Sequence, residues 1–188
     1  MPDMSCTSSL RRPTAADPIS VGCHNGTGSV DARYHGGDAQ LLAKLKASRH
    51  SLADGIRQAD KTDGPEISAQ FEMKGDQLLL SVYTAKKGRT ADAEHNTLME
   101  IIGPAPEATW KPETEVFEDK EHIARSAMQL TLMQLSKMSL ADVVKKAEAQ
   151  QAGTVYSAIP SVDNRRPVVN VLVATADGQS KHVTIDLK

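Results

Sequence analysis

"SLADGIRQAD" begins at Ser51, and "SLADVVKKAE" begins at Ser139. The match continues well past the shared tetrapeptide. At an offset of 88 (139 minus 51), Leu52 meets Leu140, Ile56 meets Val144 and Ala59 meets Ala147. The strand-like stretch that follows keeps step, Ile67 with Val155 and Phe71 with Ile159. The next turn reads as longer in the second copy, "VDNRRP" against "KGDQ". Beyond it the offset becomes 90 (168 minus 78), aligning Leu78 with Val168, Val82 with Leu172 and Gly88 with Gly178. A shared order of cap, helix, strand, turn, strand and glycine is the mark of an internal duplication. It constrains the fold more than any single motif does: whatever one unit forms, the chain forms twice.

Each unit has a readable internal plan. "AQLLAKLKAS" sets Leu41, Leu42 and Leu45 on one side of a helix. Ser48 to His50 breaks it, and Ser51 reads as the N-cap of a second helix, with Asp54 favouring its positive end. That helix stops before Gly64-Pro65. "EISAQFEM" then alternates, with Ile67, Ala69, Phe71 and Met73 pointing one way, and "LLLSVYTA" follows as the partner strand of a hairpin. In the second unit "SKHVTIDLK" supplies a third strand through Val183, Ile185 and Leu187. Duplication assigns the matching strand of the first unit to "EHNTLMEIIG", where propensity alone would also allow a helix. "GPAPEATWKPETEVF" is a proline-rich connector with a short strand near Val116. Residues 119–137 read as a long helix with apolar side chains around most of its circumference, so burial between other elements is expected.

The predicted fold class is α+β: two tandem repeats, each a helix pair with an antiparallel sheet of at least three strands. The domain plan is a leader at 1–37, a first repeat with its connector at 38–117 and a second repeat at 118–188. The leader is rich in Ser, Thr, Gly, Pro and Asp. It has little to bury against its ordering entropy, and it reads as disordered.

Composition narrows the function classes. A net charge of −2 argues against nucleic acid, which needs a basic face. No apolar run approaches the roughly 20 residues of a membrane-spanning helix. "MPDMSCTSSLRRPTAADP" lacks an apolar h-region and does not read as a secretion signal. The two cysteines, Cys6 and Cys23, read as tail thiols, with a disulfide or a metal site shared with His24 as the sharper alternative. The six histidines, His24, His35, His50, His95, His122 and His182, are scattered and form no H-x-x-x-H or H-E-x-x-H. Met128, Met133 and Met138 fall at helical spacing, which core filling explains as well as a soft-metal surface does. There is no G-x-S-x-G, and the glycine-rich "NGTG" and "YHGG" follow no strand. No catalytic residue, cofactor site or metal site is assigned.

One feature points outward. Both faces of the second hairpin strand are apolar in each unit. Val169, Val171 and Val173 make one face in the second unit, and Leu79 and Tyr83 stand opposite Leu78, Leu80 and Val82 in the first. Either the two units cover each other, or a sheet face awaits a partner. Val169, Val171, Val173, Leu79 and Tyr83 are therefore the candidate partner face.

The second copy, "SLADVVKKAEAQQAGTVYSAIPSVDNRRPVVNVLVATADGQSKHVTIDL", resembles the PepSY domain. The resemblance is carried by Ser139, Leu140, Ala147, Gly153, Val155, Val171, Val173, Asp177, Gly178, Val183, Ile185 and Asp186. The first copy, residues 51–103, keeps Ser51, Leu52, Ala59 and Gly88, while its D-G turn has become "KKG". The resemblance implies a periplasmic or secreted bacterial protein that binds or inhibits another envelope or secreted protein, a peptidase among the partners it suggests. It carries over no catalytic residues, so the expectation is a protein without enzymatic activity. A tandem of helix-plus-sheet units is also similar to β-lactamase inhibitory protein at the level of fold. The rival expectation is a zinc- or copper-handling envelope protein using the scattered His and Met side chains.

Overall fold

The computed structural model describes residues 38–62 and 64–188. The leader, with Cys6, Cys23, His24, His35 and the expected disorder of 1–37, lies outside the described residues. Helices α1 (Asp38–Leu45) and α2 (Leu52–Thr62) precede strands β1 (Glu66–Lys74), β2 (Gln77–Ala85), β3 (Leu98–Pro104) and β4 (Glu113–Val116). Helices α3 (Lys120–Gln134) and α4 (Leu140–Gln150) then lead into β5 (Thr154–Asp163), β6 (Arg166–Ala174) and β7 (Ser180–Asp186). The class is α+β, and 98–104 is a strand, as the duplication argument requires.

The two expected sheets are one. Seven strands run in the order β4-β3-β2-β1-β5-β6-β7, with every neighbouring pair antiparallel. The join is β1 against β5, at Ala69↔Ala158 and Gln70↔Ser157. Two separate sheets would each have left a further edge of unpaired N–H and C=O groups, and the joint closes the middle of both.

The registers of the two halves correspond. The β1–β2 hairpin turns between Lys74 and Gln77, and the β5–β6 hairpin between Asp163 and Arg166, an offset of 89 (163 minus 74). The irregularity between Glu66 and Ser68 recurs between Val155 and Ser157 at that same offset. Ala69 and Ala158, also 89 apart, face each other directly across the joint. The outer strands agree too: Leu79↔Pro104 matches Val168↔Asp186, and Ala85↔Leu98 matches Ala174↔Ser180.

This corrects the alignments of 88 and 90 read from the strand residues. The second hairpin turn is not longer. Asn164 and Arg165 both adopt positive φ, 47° and 64°, which closes a two-residue turn between the twisted strands. A one-residue slip reverses every side chain in a strand. Ile67 is the clearest case. It sits in the bulge and leaves the side taken by Ala69 and Phe71 for the opposite cluster with Tyr83, Ala85 and Leu130.

The helix starts need no correction. The Ser51 amide donates to the Asp54 carboxylate at 2.9 Å while the Asp54 amide donates to Ser51 Oγ at 3.1 Å. Ser139 and Asp142 repeat this reciprocal cap at 3.3 and 3.1 Å. These bonds hold both aspartates below their ordinary range. Just inside each cap, Leu52 and Leu140 are buried.

α1, α2 and α4 cover one face of the sheet and share its main core with Leu80, Val82, Val171 and Ile185. On the other face α3 packs against β1, β3 and β5. The expectation that α3 is enclosed on nearly all sides fails. Ser126, Gln129, Leu130, Leu132 and Met133 are buried, but Ile123, Met128 and Leu135 are exposed. It lies on the sheet as a surface helix, with a single inward stripe.

Candidate functional site

The five residues of the expected partner face do not form one surface. Val169, Val171 and Val173 are fully buried on the helix-covered side, within the main core. Leu79 and Tyr83 point to the opposite face, because Leu78, Leu80 and Val82 take the core side of β2. Both are also buried. The two-sided apolar pattern marks strands covered from both sides, so this set is corrected to two separate interior positions.

The α3 face carries a cluster of aromatic and titratable groups. The Tyr83 ring meets the edge of Phe117 at 4.7 Å, and His122 stacks on Phe117 at 5.2 Å. His122 is held by the α3 N-cap, its Nδ1 lying 2.6 Å from the Asp119 carboxylate. Burial, reinforced by the charge of Glu100, pushes the Tyr83 phenol up to about 12. Glu100 sits across the β2–β3 pairing from Tyr83 and accepts a hydrogen bond from the buried Ser81 hydroxyl. Ser68 donates to Gln129 at 2.8 Å, fastening the middle of α3 to β1.

Burial raises the Glu100 carboxyl above its ordinary 4.5; the Ser81 hydrogen bond opposes that rise, and the nearby charges of Glu72 and Glu115 add to it. The folded chain therefore keeps this proton to higher pH than the unfolded chain does. The stability it contributes is complete below about pH 4.5 and is lost as pH rises through the folded value. Glu100→Gln retains an acceptor for Ser81 and removes the charge. The variant is expected to melt above the wild type at pH 7, with the difference closing below pH 4.5, as thermal unfolding across pH would show. An equal or lower melting temperature at pH 7 would count against the assignment.

A second polar cluster lies where α2 and α4 meet the sheet. The Glu66 carboxylate, almost fully buried, accepts the Leu140 amide at 3.1 Å and Arg89 Nη2 at 3.2 Å. Arg89 also donates to the carbonyls of Glu66 and Met138, each at 3.1 Å. Gln134 Nε2 donates to the carbonyls of Arg89 and Ala91 at 2.9 and 2.8 Å. Burial raises Glu66, while Arg89 and the Leu140 amide pull against that rise. A cleft of about 380 Å³ opens above this cluster, lined by Arg57, Asp60, Lys145 and Glu148 among others. The Glu66 carboxylate bridges the β2–β3 loop and the start of α4, so its chemistry is that of a structural clasp.

Among the described residues, no three His, Cys, Asp or Glu side chains come together in a way that could hold a metal ion. His95 and His122 each pair with one aspartate three residues earlier, Asp92 and Asp119. Met133 is core, Met138 half-buried and Met128 exposed, so the methionine spacing forms no common surface. No described helix is long and apolar enough to cross a membrane. Sequence reasoning missed Glu66, Arg89, Ser81 and Glu100. Their partners lie on other elements, and nothing local marks a carboxylate that a distant helix will bury.

On the α3 face, β6 and β7 lie beyond the strands that α3 packs against. Val168 is buried there, Asn170 and Leu172 are half-buried, and His182 and Thr184 are exposed. Models of protein families, curated proteins and solved structures were compared with the chain, and none matches it.

Proposed function

We propose that the chain is a tandem PepSY-like module that acts without catalysis, by contact with another protein of the bacterial envelope or secreted fraction. Its units are 38–117 and 118–188, products of an internal duplication. The matched caps, bulges and strand registers support this reading of the architecture, and the PepSY resemblance of 139–188 supports the kind of work it does. A peptidase is the partner class, and a periplasmic or secreted setting the location, that follow from the resemblance.

One observation carries the placement of the contact: α3 packs on β1, β3 and β5 and leaves Leu172, His182 and Thr184 at the β6–β7 end of the same face. A mixed surface of one aliphatic and several polar groups on a rigid sheet suits protein recognition. The test is affinity capture by the immobilised full chain from the source cell's envelope fraction, repeated with Leu172→Arg. The wild type is expected to retain a discrete protein that the variant loses, with the variant still folded although Leu172 packs partly on the main core. Equal capture by a folded variant would remove the contact from this face.

A further inference from the structure

The sheet's two edges are built differently. β4 is four residues long and exposed throughout, and it carries Glu113 and Glu115. A short, charged edge resists pairing with another chain. β7 is seven residues long and pairs with β6 without a bulge from Val168↔Asp186 to Ala174↔Ser180. It contains no proline. Its outer side has no strand beside it among the described residues.

The direction of its backbone groups is set by the ladder. Leu187 N–H donates to the Pro167 carbonyl at 3.1 Å, and Thr175 N–H donates to the Gln179 carbonyl at 2.9 Å. Bonded and unbonded pairs alternate along an antiparallel ladder. Lys181, Val183 and Ile185 thus turn their N–H and C=O groups towards β6, and His182, Thr184 and Asp186 turn theirs outward.

We propose that β7 is the docking edge for a second copy of this chain, the two β7 strands pairing antiparallel about a two-fold axis through Thr184. Residues paired across one sheet lie on the same face. His182, Thr184 and Asp186 must therefore pair among themselves, and Val183 with Ile185. An axis through Thr184 sets His182 opposite the partner's Asp186, and Val183 opposite the partner's Ile185. The first pairing is polar and complementary; the second lays the half-buried Val183 beside an Ile185 that the main core already buries. Moving the axis to Val183 sets the Lys181 ammonium opposite the partner's Ile185 and Ser180 opposite the partner's Asp186. That register loses the polar pair. The local partners leave room for this exchange. His182 Nε2 lies 3.2 Å from Asn170 Oδ1 and is exposed; Asp186 accepts the Lys188 amide at 3.0 Å on Oδ1, and its Oδ2 has the exposed Arg166 at 3.5 Å. The interface is isologous and closes on itself as a dimer.

This inference shares His182 and Thr184 with the face proposed above, and its test reads a different quantity. Sedimentation velocity of the full chain, over concentrations up to millimolar, is expected to show a monomer–dimer equilibrium. Thr184→Pro removes an N–H that turns away from β6 and has no strand beside it among the described residues, at an edge position where proline is tolerated. It is expected to abolish the dimer and leave the far-UV spectrum and melting temperature unchanged. His182→Asp sets like charges opposite each other and should also lose the dimer. The double variant His182→Asp with Asp186→His reverses both pairs and should restore it. A wild type that stays monomeric throughout, a dimer that persists in a folded Thr184→Pro variant, or a double variant that stays monomeric would overturn the proposal.

Discussion

Replacing Val171 by glutamate is expected to unfold the protein. Val171 is fully buried and lies between Ala158 on β5 and Val183 on β7, on the side of the sheet that α4 covers. Its cross-strand neighbours, Ala158 and Val183, offer a carboxylate no side-chain partner. An unpaired ionised group in such a place costs far more than its hydrogen-bonded equivalent in water. A domain's whole stability is about 5–15 kcal/mol, so little native population should survive. Circular dichroism and the dispersion of the amide proton spectrum decide the matter. A soluble Val171→Glu protein with native dispersion would mean that this side of β6 is not interior.

Truncating Leu52 or Leu140 to alanine should cost about 2–5 kcal/mol in either case, the usual range for deleting a buried leucine. Both side chains are buried at the first position of a capped helix, and both belong to the same core. The losses should be of similar size, because the two sites repeat each other down to the reciprocal Ser–Asp cap. Urea unfolding of the two single variants measures this directly. A loss at one position and none at the other would break the equivalence of the two halves.

The helices and their starts were legible in the sequence, because capping is local. Ser51 and Asp54, or Ser139 and Asp142, are three residues apart, and the chemistry of their contact is visible in the letters. The strand at 98–104 was legible only through its counterpart at 180–186, since its own residues also suit a helix. Strand register was not legible. β2 and β6 are apolar on both sides, so sliding one along the other by a residue leaves the pattern looking equally good. The bulges at Ile67 and Tyr156 add a residue that no alternation reveals. The turn at Asn164-Arg165 uses positive φ at an arginine, which carries no turn signal. The joining of two sheets into one depends on the Ala69↔Ala158 contact, and two small residues in mid-strand do not announce a partner. The candidate face suffered from the same ambiguity. Val169, Val171 and Val173 share with Leu79 and Tyr83 only an apolar strand pattern, and the register places them on opposite sides.

The proposed recognition through the β6–β7 part of the α3 face is tested most directly by site-specific photo-cross-linking. The full chain would carry a photoreactive amino acid in place of Leu172, half-buried on that face, or in place of Lys146, exposed on α4. Each version would be irradiated in the source cell's envelope fraction. A discrete adduct with a protein other than this chain is expected from the Leu172 position, and none from Lys146. No such adduct from Leu172, or the same adducts from both positions, would contradict that proposal.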